Sequence, residues 1–217
     1  MSDQYKTIET NALGEFRDRG SKFLAYAYSF RDENILADIL LRLRKEHPKA
    51  CHWCYAYRIG LDKNNFRAND DGEPGGTAGK PILGQLDSFD ITNTLIVVVR
   101  YFGGTLLGTS GLIDAYRAAA KDALQNAQIV DKQLCSVYQF TFDYSLMADV
   151  MNAVKKLNIE ILTKDFSDIA KIEIAIPTSN VEAKLLTIKA LILKVTEDEA
   201  SKISEIGGLK IVFLSTE

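Results

Sequence analysis

The hydrophobic positions in the first half of the chain switch between the spacing of strands and that of helices. Residues 22–30, rich in aromatic side chains, and residues 53–59, with large apolar residues at every second position, each predict a strand. Between them, apolar residues at helical spacing over 35–43 predict a helix that ends at His47-Pro48. Ser29 and Asp32 have the spacing of a capping box at its start, and residues 63–65 predict a hairpin turn.

Two glycine-rich segments interrupt this pattern. Residues 69–81 hold four glycines and two prolines, which predicts a long loop, and a short helix is expected over 81–89. Residues 95–99 are all apolar and mostly β-branched, so they predict a central strand buried on both faces. That strand leads through a glycine-rich turn, residues 100–111, into a helix. The buried face of this helix is expected to carry Leu112, Tyr116, Ala119, Ala120 and Ala123.

The second half of the chain has a simpler pattern that follows a polar stretch at 125–133. Its strands and helices are predicted in the order β-α-β-β-α-β, the plan of the ferredoxin-like fold, with a helix break at a second capping box, Thr196 and Glu199. We therefore predict an α+β protein with two domains, residues 1–130 and residues 134–217.

Composition and charge narrow the classes of function. No apolar run reaches the length of a membrane span and no secretory signal is apparent at the start, so we expect a cytoplasmic protein that does not bind membranes. Three cysteines fit reduced thiols better than a disulfide framework. The net charge of −3 argues against strong nonspecific binding to duplex nucleic acid. All nine arginines lie in residues 1–130, so a phosphate or RNA site is expected there.

The turn before the last helix of the first domain has the features of an anion site. The N-terminus of a helix exposes backbone N–H groups and a partial positive charge, and glycines allow close approach of a phosphate. Alternatively, the glycines only form a tight turn and Thr109 or Ser110 only caps the helix. The residues that we expect to bind phosphate or RNA are Lys22, Lys80, Arg100, Gly103, Gly104, Thr105, Gly108, Ser110 and Gly111.

The preceding loop is acidic, with three carboxylates within four residues. These carboxylates repel one another unless a cation, an arginine or backbone N–H groups compensate their charge. Three interpretations of the loop are therefore possible: a magnesium site, a contact for a basic partner and a solvated turn. We favour the solvated turn over the metal and expect no cofactor. The residues that we single out in this loop are Asp70, Asp71, Gly72, Glu73, Pro74, Gly76 and Thr77.

Cys51 and Cys54, with His47 and His52 close by, suggest a zinc site, but no second cysteine pair completes four ligands. A cysteine among aromatic residues is more often part of the core. Aromatic residues on the predicted strands could stack on bases, although they too are more often packing residues.

Four segments together resemble the YigZ/IMPACT family, and the resemblance covers nearly the whole chain. They are Gly20-Ser21-Lys22-Phe23, His52-x-Cys54-x-Ala56-Tyr57, Asp70-Asp71-Gly72-Glu73-Pro74-x-Gly76-Thr77-Ala78-Gly79-x-Pro81 and Arg100-Tyr101-Phe102-Gly103-Gly104-x-x-Leu107-Gly108-x-x-Gly111-Leu112-x-x-Ala115-Tyr116. The resemblance implies a ribosomal-protein-like β-α domain of the left-handed βαβ type, followed by a ferredoxin-like domain. Cys51 is not part of the family pattern, which weakens the zinc hypothesis.

The resemblance also bears on function. Eukaryotic relatives restrain the kinase of the amino-acid starvation response with the help of an additional N-terminal module, which we expect this chain to lack. We therefore expect a regulatory, translation-linked protein that associates with RNA or the ribosome through its first domain. Two alternatives stay open. One is an enzyme that acts on a phosphorylated small molecule, with the glycine-rich turn holding the phosphate and Asp70 and Asp71 holding Mg²⁺ or acting as a base. The other is an adaptor that uses the acidic second domain as the docking surface for another protein. The sequence does not indicate the oligomeric state.

Overall fold

The computed structural model describes residues 3–62 and 64–216, which divide into two compact units. The N-terminal unit is Tyr5–Lys132, and the C-terminal unit consists of residues 133–216 with residues 3 and 4. The two-part α+β organisation is therefore confirmed, whereas the domain limits 1–130 and 134–217 stay a prediction. Lys63, predicted in a hairpin turn, lies outside the described residues.

The first part of the chain forms a five-stranded sheet with helices on both faces. The strands of the five-stranded sheet are β2 (Ala12–Asp18), β3 (Ser21–Ser29), β4 (His52–Ile59), β5 (Asn65–Asn69) and β6 (Thr94–Tyr101), and two further strands are β1 (Gln4–Ile8) and β7 (Ile129–Gln133). The helices are α1 (Leu36–Glu46), α2 (Gly79–Ser88) and α3 (Gly108–Gln125). The strand order is β2-β3-β6-β4-β5, so the predicted apolar strand β6 is central, as expected. The strands β1 and β7 pair separately, and neither was predicted.

Small side chains on one face of this sheet let helix α3 lie close to it. Ala25, Ala27 and Ala56 belong to the core cluster that also contains the alanines of α3. Where α3 crosses β2, an added Cβ at Gly14 would lie only 2.2 Å from the backbone nitrogen of Ala123. The position of α3 therefore depends on the absence of a side chain at Gly14.

The opposite face carries large aromatic residues that pack beneath α1. Trp53, Tyr55 and Tyr57 are buried there, and His47 joins two more of the aromatic residues through its ring nitrogens. Its Nε2 lies 2.6 Å from the hydroxyl of Tyr26 and its Nδ1 lies 2.8 Å from that of Tyr101. These aromatic residues are therefore engaged in packing and in hydrogen bonds within the unit.

One predicted capping box is wrong and the other is confirmed. Ser29 is the last residue of β3, and it is Asp32 that caps the following turn, by accepting a hydrogen bond of 2.9 Å from the backbone of Asn34. In the C-terminal unit, Thr196 and Glu199 make both hydrogen bonds of a capping box.

The C-terminal unit has the predicted β-α-β-β-α-β order. Its elements are β8 (Cys135–Phe142), α4 (Met147–Lys156), β9 (Glu160–Phe166), β10 (Ala170–Pro177), α5 (Val181–Leu193), the short α6 (Glu197–Ser201) and β11 (Leu209–Thr216). The sheet order is β11-β8-β10-β9, and each neighbouring pair is antiparallel. Within the described ranges, no helix has the length and apolar character needed to cross a bilayer.

We expect Gly14→Ala to lower the free energy of unfolding of the N-terminal unit by about 2 kcal/mol or more, because the methyl group would collide with the backbone of α3. Gly84→Ala is the control, since Gly84 is exposed within α2 and an added Cβ would meet no atom within 4 Å. It should stabilise the unit by about 0.5–1 kcal/mol. Urea unfolding followed by the fluorescence of the single tryptophan, Trp53, measures both, and equal effects would contradict the close approach.

Candidate functional site

Asp70 holds the acidic loop together by accepting hydrogen bonds from backbone groups. Its carboxylate accepts from the N–H groups of Gly76, Ala78 and Gly79 at 2.8, 3.0 and 2.8 Å. Partial burial acts to raise the pKa of Asp70, but these three donors and nearby Lys80 outweigh it, so the pKa lies below its ordinary value. Since α2 begins at Gly79 and Ala78 offers no side-chain cap, Asp70 also acts as the cap of this helix.

Asp71 connects the loop to β4 and α1. One carboxylate oxygen accepts from Arg44 at 2.8 Å and the other accepts from the backbone N–H of Trp53 at 2.7 Å. The backbone carbonyl of Asp71 lies 2.8 Å from Nδ1 of His52. Because a carbonyl can only accept, Nδ1 of His52 carries the proton and Nε2 is the nitrogen left for other contacts.

Glu73 is buried and takes part in a charged network. Its Oε1 lies 2.5 Å from Nη1 of Arg100, 2.7 Å from the hydroxyl of Tyr116 and 3.8 Å from Nε2 of His52. The thiol of Cys54 continues the network, 3.3 Å from the hydroxyl of Tyr116. Burial raises the pKa of both Tyr116 and Cys54, so both stay protonated and Tyr116 donates to Glu73.

The glycines of the second segment have two different roles. An added Cβ at Gly103 would lie 1.9 Å from the backbone of Gly20, so Gly103 is needed for packing against the β2–β3 turn. Gly104 and Gly108 have positive φ angles of 88° and 71° and open space around them. Gly111 meets only the side chain of Leu107, at 3.0 Å. The glycines therefore shape a turn whose exposed backbone lies next to the start of α3.

Helix α3 begins without a side-chain cap. The N-cap position is Leu107, whose side chain makes no capping hydrogen bond. Thr105, Thr109 and Ser110 are exposed around this start. The first N–H groups of the helix and its partial positive charge are therefore available to an anion.

The acidic loop and the glycine-rich turn meet in one pocket of about 420 Å³, which we call the loop pocket. One side is formed by Cys51, His52, Glu73 and Pro74. The other is formed by Arg100, Phe102, residues 106–109 and Leu112. Three stretches that are distant in the sequence, residues 51–52, 73–74 and 100–112, therefore form a single concave surface, with a polar floor, apolar walls and a helix N-terminus at its edge.

Several predicted site residues lie away from this pocket. Lys22 pairs with Glu15 at 3.2 Å, and its partner across the sheet is Tyr101, whose hydroxyl contacts His47 on the other face. Lys80 is exposed on α2 beside Asp70. The remaining loop residues are structural: Gly72 and Gly76 adopt positive φ angles, and Thr77 is buried and donates to the carbonyl of Pro74 at 2.6 Å.

Neither the zinc nor the magnesium arrangement appears among the described residues, where no three side chains of His, Cys, Asp or Glu are grouped as metal ligands. Cys54 lies in the core and Cys51 is exposed. The sequence pattern did not single out Arg44, the partner of Asp71, or the apolar wall residue Leu106. The sequence could have indicated Leu106. It is an apolar residue in a glycine-rich turn, where no helix or strand pattern predicts that it is buried.

Comparison with known proteins places this architecture in a family. Residues 19–124 match the Impact N-terminal domain. The chain is 33% identical over 156 residues to the IMPACT family member YvyE of Bacillus subtilis, with 72% of each chain covered. It is 30% identical over 182 residues to an IMPACT family member of Haemophilus influenzae, covering 83% of this chain and 88% of that one. The chain belongs to the IMPACT family.

The similarity extends to a solved structure described as a crystal structure of a hypothetical protein. It has a TM-score of 0.66 at 25% sequence identity, and the match covers 99% of both chains. For this IMPACT family chain, the segments that carry the family resemblance include those that line the loop pocket. The pocket is therefore the candidate functional site.

We expect Glu73→Gln to lower the free energy of unfolding by about 3–5 kcal/mol, because it leaves the buried guanidinium of Arg100 without its counter-charge. Glu15→Gln is the control. Glu15 is exposed and pairs with Arg17 and Lys22, so its loss should cost far less stability than the loss of Glu73. Unfolding followed by Trp53 fluorescence compares them, and a cost at Glu73 no larger than at Glu15 would contradict the role of this pair.

We expect Asp70→Asn to destabilise the N-terminal unit by about 1–3 kcal/mol at neutral pH, because the amide group would face backbone donors. The lowered pKa of Asp70 also stabilises the folded state above the unfolded-state pKa of about 4, and this contribution is lost as the pH falls through the folded-state pKa. The variant should therefore lose less stability than the wild type on acidification below about pH 4. Asp114→Asn, on the exposed surface of α3, controls for the loss of one carboxylate; parallel acid profiles for the wild type and Asp70→Asn would refute the assignment.

Proposed function

We propose that this IMPACT family protein is a regulatory, translation-linked protein that associates with RNA or the ribosome through its N-terminal unit. The observation that carries the proposal is the exposed, uncapped N-terminus of α3 at the edge of the loop pocket. An RNA phosphate would lie against the N–H groups of Gly108 to Gly111 and the hydroxyls of Thr109 and Ser110. Membership of the IMPACT family supports the link to translation, because the family resemblance implies such a role for the eukaryotic members.

The acidic loop is compatible with an anionic ligand because its charges are already compensated. Asp70 faces three backbone donors, Asp71 faces Arg44 and the N–H of Trp53, and Glu73 faces Arg100. These carboxylates shape the site, and repulsion of a phosphate is reduced accordingly. In this proposal Arg100 forms part of the floor of the pocket. Lys22 and Lys80 lie outside the pocket and contribute only to the positive electrostatic potential around it.

The same contacts weigh against the enzymatic alternative in the form that uses Asp70 and Asp71. Neither residue lines the loop pocket, and all four of their carboxylate oxygens accept hydrogen bonds within the unit. A base or a magnesium ligand needs an oxygen that can face the substrate. The adaptor alternative would use the acidic C-terminal unit as its docking surface, so the contacts of Asp70 and Asp71 do not bear on it.

We expect a single-stranded RNA of about 12 nucleotides to bind with an affinity that falls as salt rises. Thr109→Asp should weaken this binding about tenfold, because a carboxylate in the first turn of α3 repels phosphate. The same change should leave the unfolding midpoint unchanged or slightly higher, since an acidic residue there favours the helix. Fluorescence anisotropy with labelled RNA, at several salt concentrations, measures the affinity.

Thr109→Asn is the matched control, since it has a similar size and no charge, and we expect it to change the affinity by no more than about twofold. The proposal is overturned if no RNA binds, if the affinity does not depend on salt, or if the Asp and Asn variants behave alike. Trp53 fluorescence establishes in each case that the N-terminal unit is folded.

A further inference from the structure

Resting on the function proposed above, we propose that the loop pocket binds one unpaired nucleotide of a single-stranded RNA. The base would lie in the pocket against Phe102 and Leu106, and its 5′-phosphate would lie at the N-terminus of α3. The chemical class of the ligand is therefore a nucleoside 5′-monophosphate unit, and its source is an RNA chain.

The pocket offers two different surfaces that no simple ion can use together. Pro74, Phe102, Leu106 and Leu112 form apolar walls, whereas Gly108 and Thr109 contribute the start of a helix. A phosphate ion would leave the walls in water, and a purely apolar ligand would leave the helix N–H groups unused. A ligand that satisfies both must join an apolar, flat group to an anion, as a nucleotide does.

Two apolar residues of the pocket wall are exposed to solvent. The exposed fraction is 81% for Leu106, which precedes the buried Leu107, and 47% for Phe102, which follows the end of β6. Aromatic side chains at the surface of RNA-binding proteins stack on unpaired bases, and each such contact contributes substantially to affinity.

Arg100 gives the pocket a polar floor with unused donors. Its side chain is only 7% exposed and lines the pocket, yet among the described residues Glu73 is its one hydrogen-bond partner, through Nη1. The buried Nε has no partner. The guanidinium also lies 5.7 Å from the ring centroid of Phe102. A buried guanidinium with spare N–H groups beside an aromatic ring suits the acceptor atoms on the edge of a base.

The size of the pocket favours one nucleotide. Its volume of about 420 Å³ lies in the range of roughly 300–1,000 Å³ typical of small-molecule sites. A base that is paired and stacked within a duplex cannot enter such a cavity without being flipped out. Single-stranded RNA presents the base at a much smaller cost, which is why we assign the ligand to that source.

The experiment compares two labelled oligomers of the same length and charge: a single-stranded RNA, and its stable abasic analogue, which keeps the backbone without bases. We expect the abasic oligomer to bind about tenfold or more weakly to the wild-type protein. Phe102→Ala should weaken the binding of the intact RNA by a similar factor and leave that of the abasic oligomer nearly unchanged. The control is Phe66→Ala, since Phe66 is 53% exposed on β5, outside the pocket, and this change should affect neither oligomer.

A second measurement separates this inference from the proposed function. Cys51 is exposed and lines the pocket, while Cys54 is buried, so alkylation of Cys51 reports occupancy. We expect uridine 5′-monophosphate to slow this alkylation more than ribose 5-phosphate does. If RNA binds equally well without bases, the nucleotide pocket is overturned and the proposed function stands. If no RNA binds but uridine 5′-monophosphate protects Cys51, the ligand is a free nucleotide and the RNA function is overturned; if neither occurs, both are overturned.

Discussion

The buried ion pair between Glu73 and Arg100 is the constraint on which the candidate site depends. Arg100 lies near the end of the central strand and Glu73 lies in a loop 27 residues earlier, and neither charge could stay buried without the other. Tyr116, from α3, donates to the same oxygen of Glu73. One carboxylate therefore fixes a loop, a strand and a helix relative to one another, and the loop pocket is the space that remains between them.

In the function proposed above, this constraint would let an acidic loop border a site for anions. Coulomb repulsion between a carboxylate and a phosphate is strong only when the carboxylate lacks a partner of its own. Here the loop closes by directing Asp70 toward backbone donors and Glu73 toward a guanidinium. At the pocket edge, the partial positive charge of the α3 N-terminus meets no acidic residue in the first turn of that helix.

The sequence predicted the elements better than the partners of its charged residues. The continuous apolar run at 95–99 could only suit a strand covered on both sides, and it is the centre of the sheet. By contrast, periodicity does not reveal which strands are neighbours. Within β6, the adjacent residues Arg100 and Tyr101 project to opposite faces of the sheet. Lys22 pairs with Tyr101 across the sheet, so it lies on the face away from the pocket. The short strands β1 and β7 escaped prediction because their pairing is long-range and β7 is largely polar.

The start of α3 lacks a side-chain cap, and the phosphate contact that we propose rests on this feature. A Ser, Thr, Asp or Asn at the N-cap would stabilise the helix by about 1 kcal/mol, by satisfying one of its first N–H groups. The chain instead places Leu107 at that position and its hydroxyl residues, Thr109 and Ser110, inside the first turn, where they leave the N–H groups open. A side chain at the cap would compete with any anion for the same donors. The sequence thus forgoes local stability where a bound phosphate would restore it.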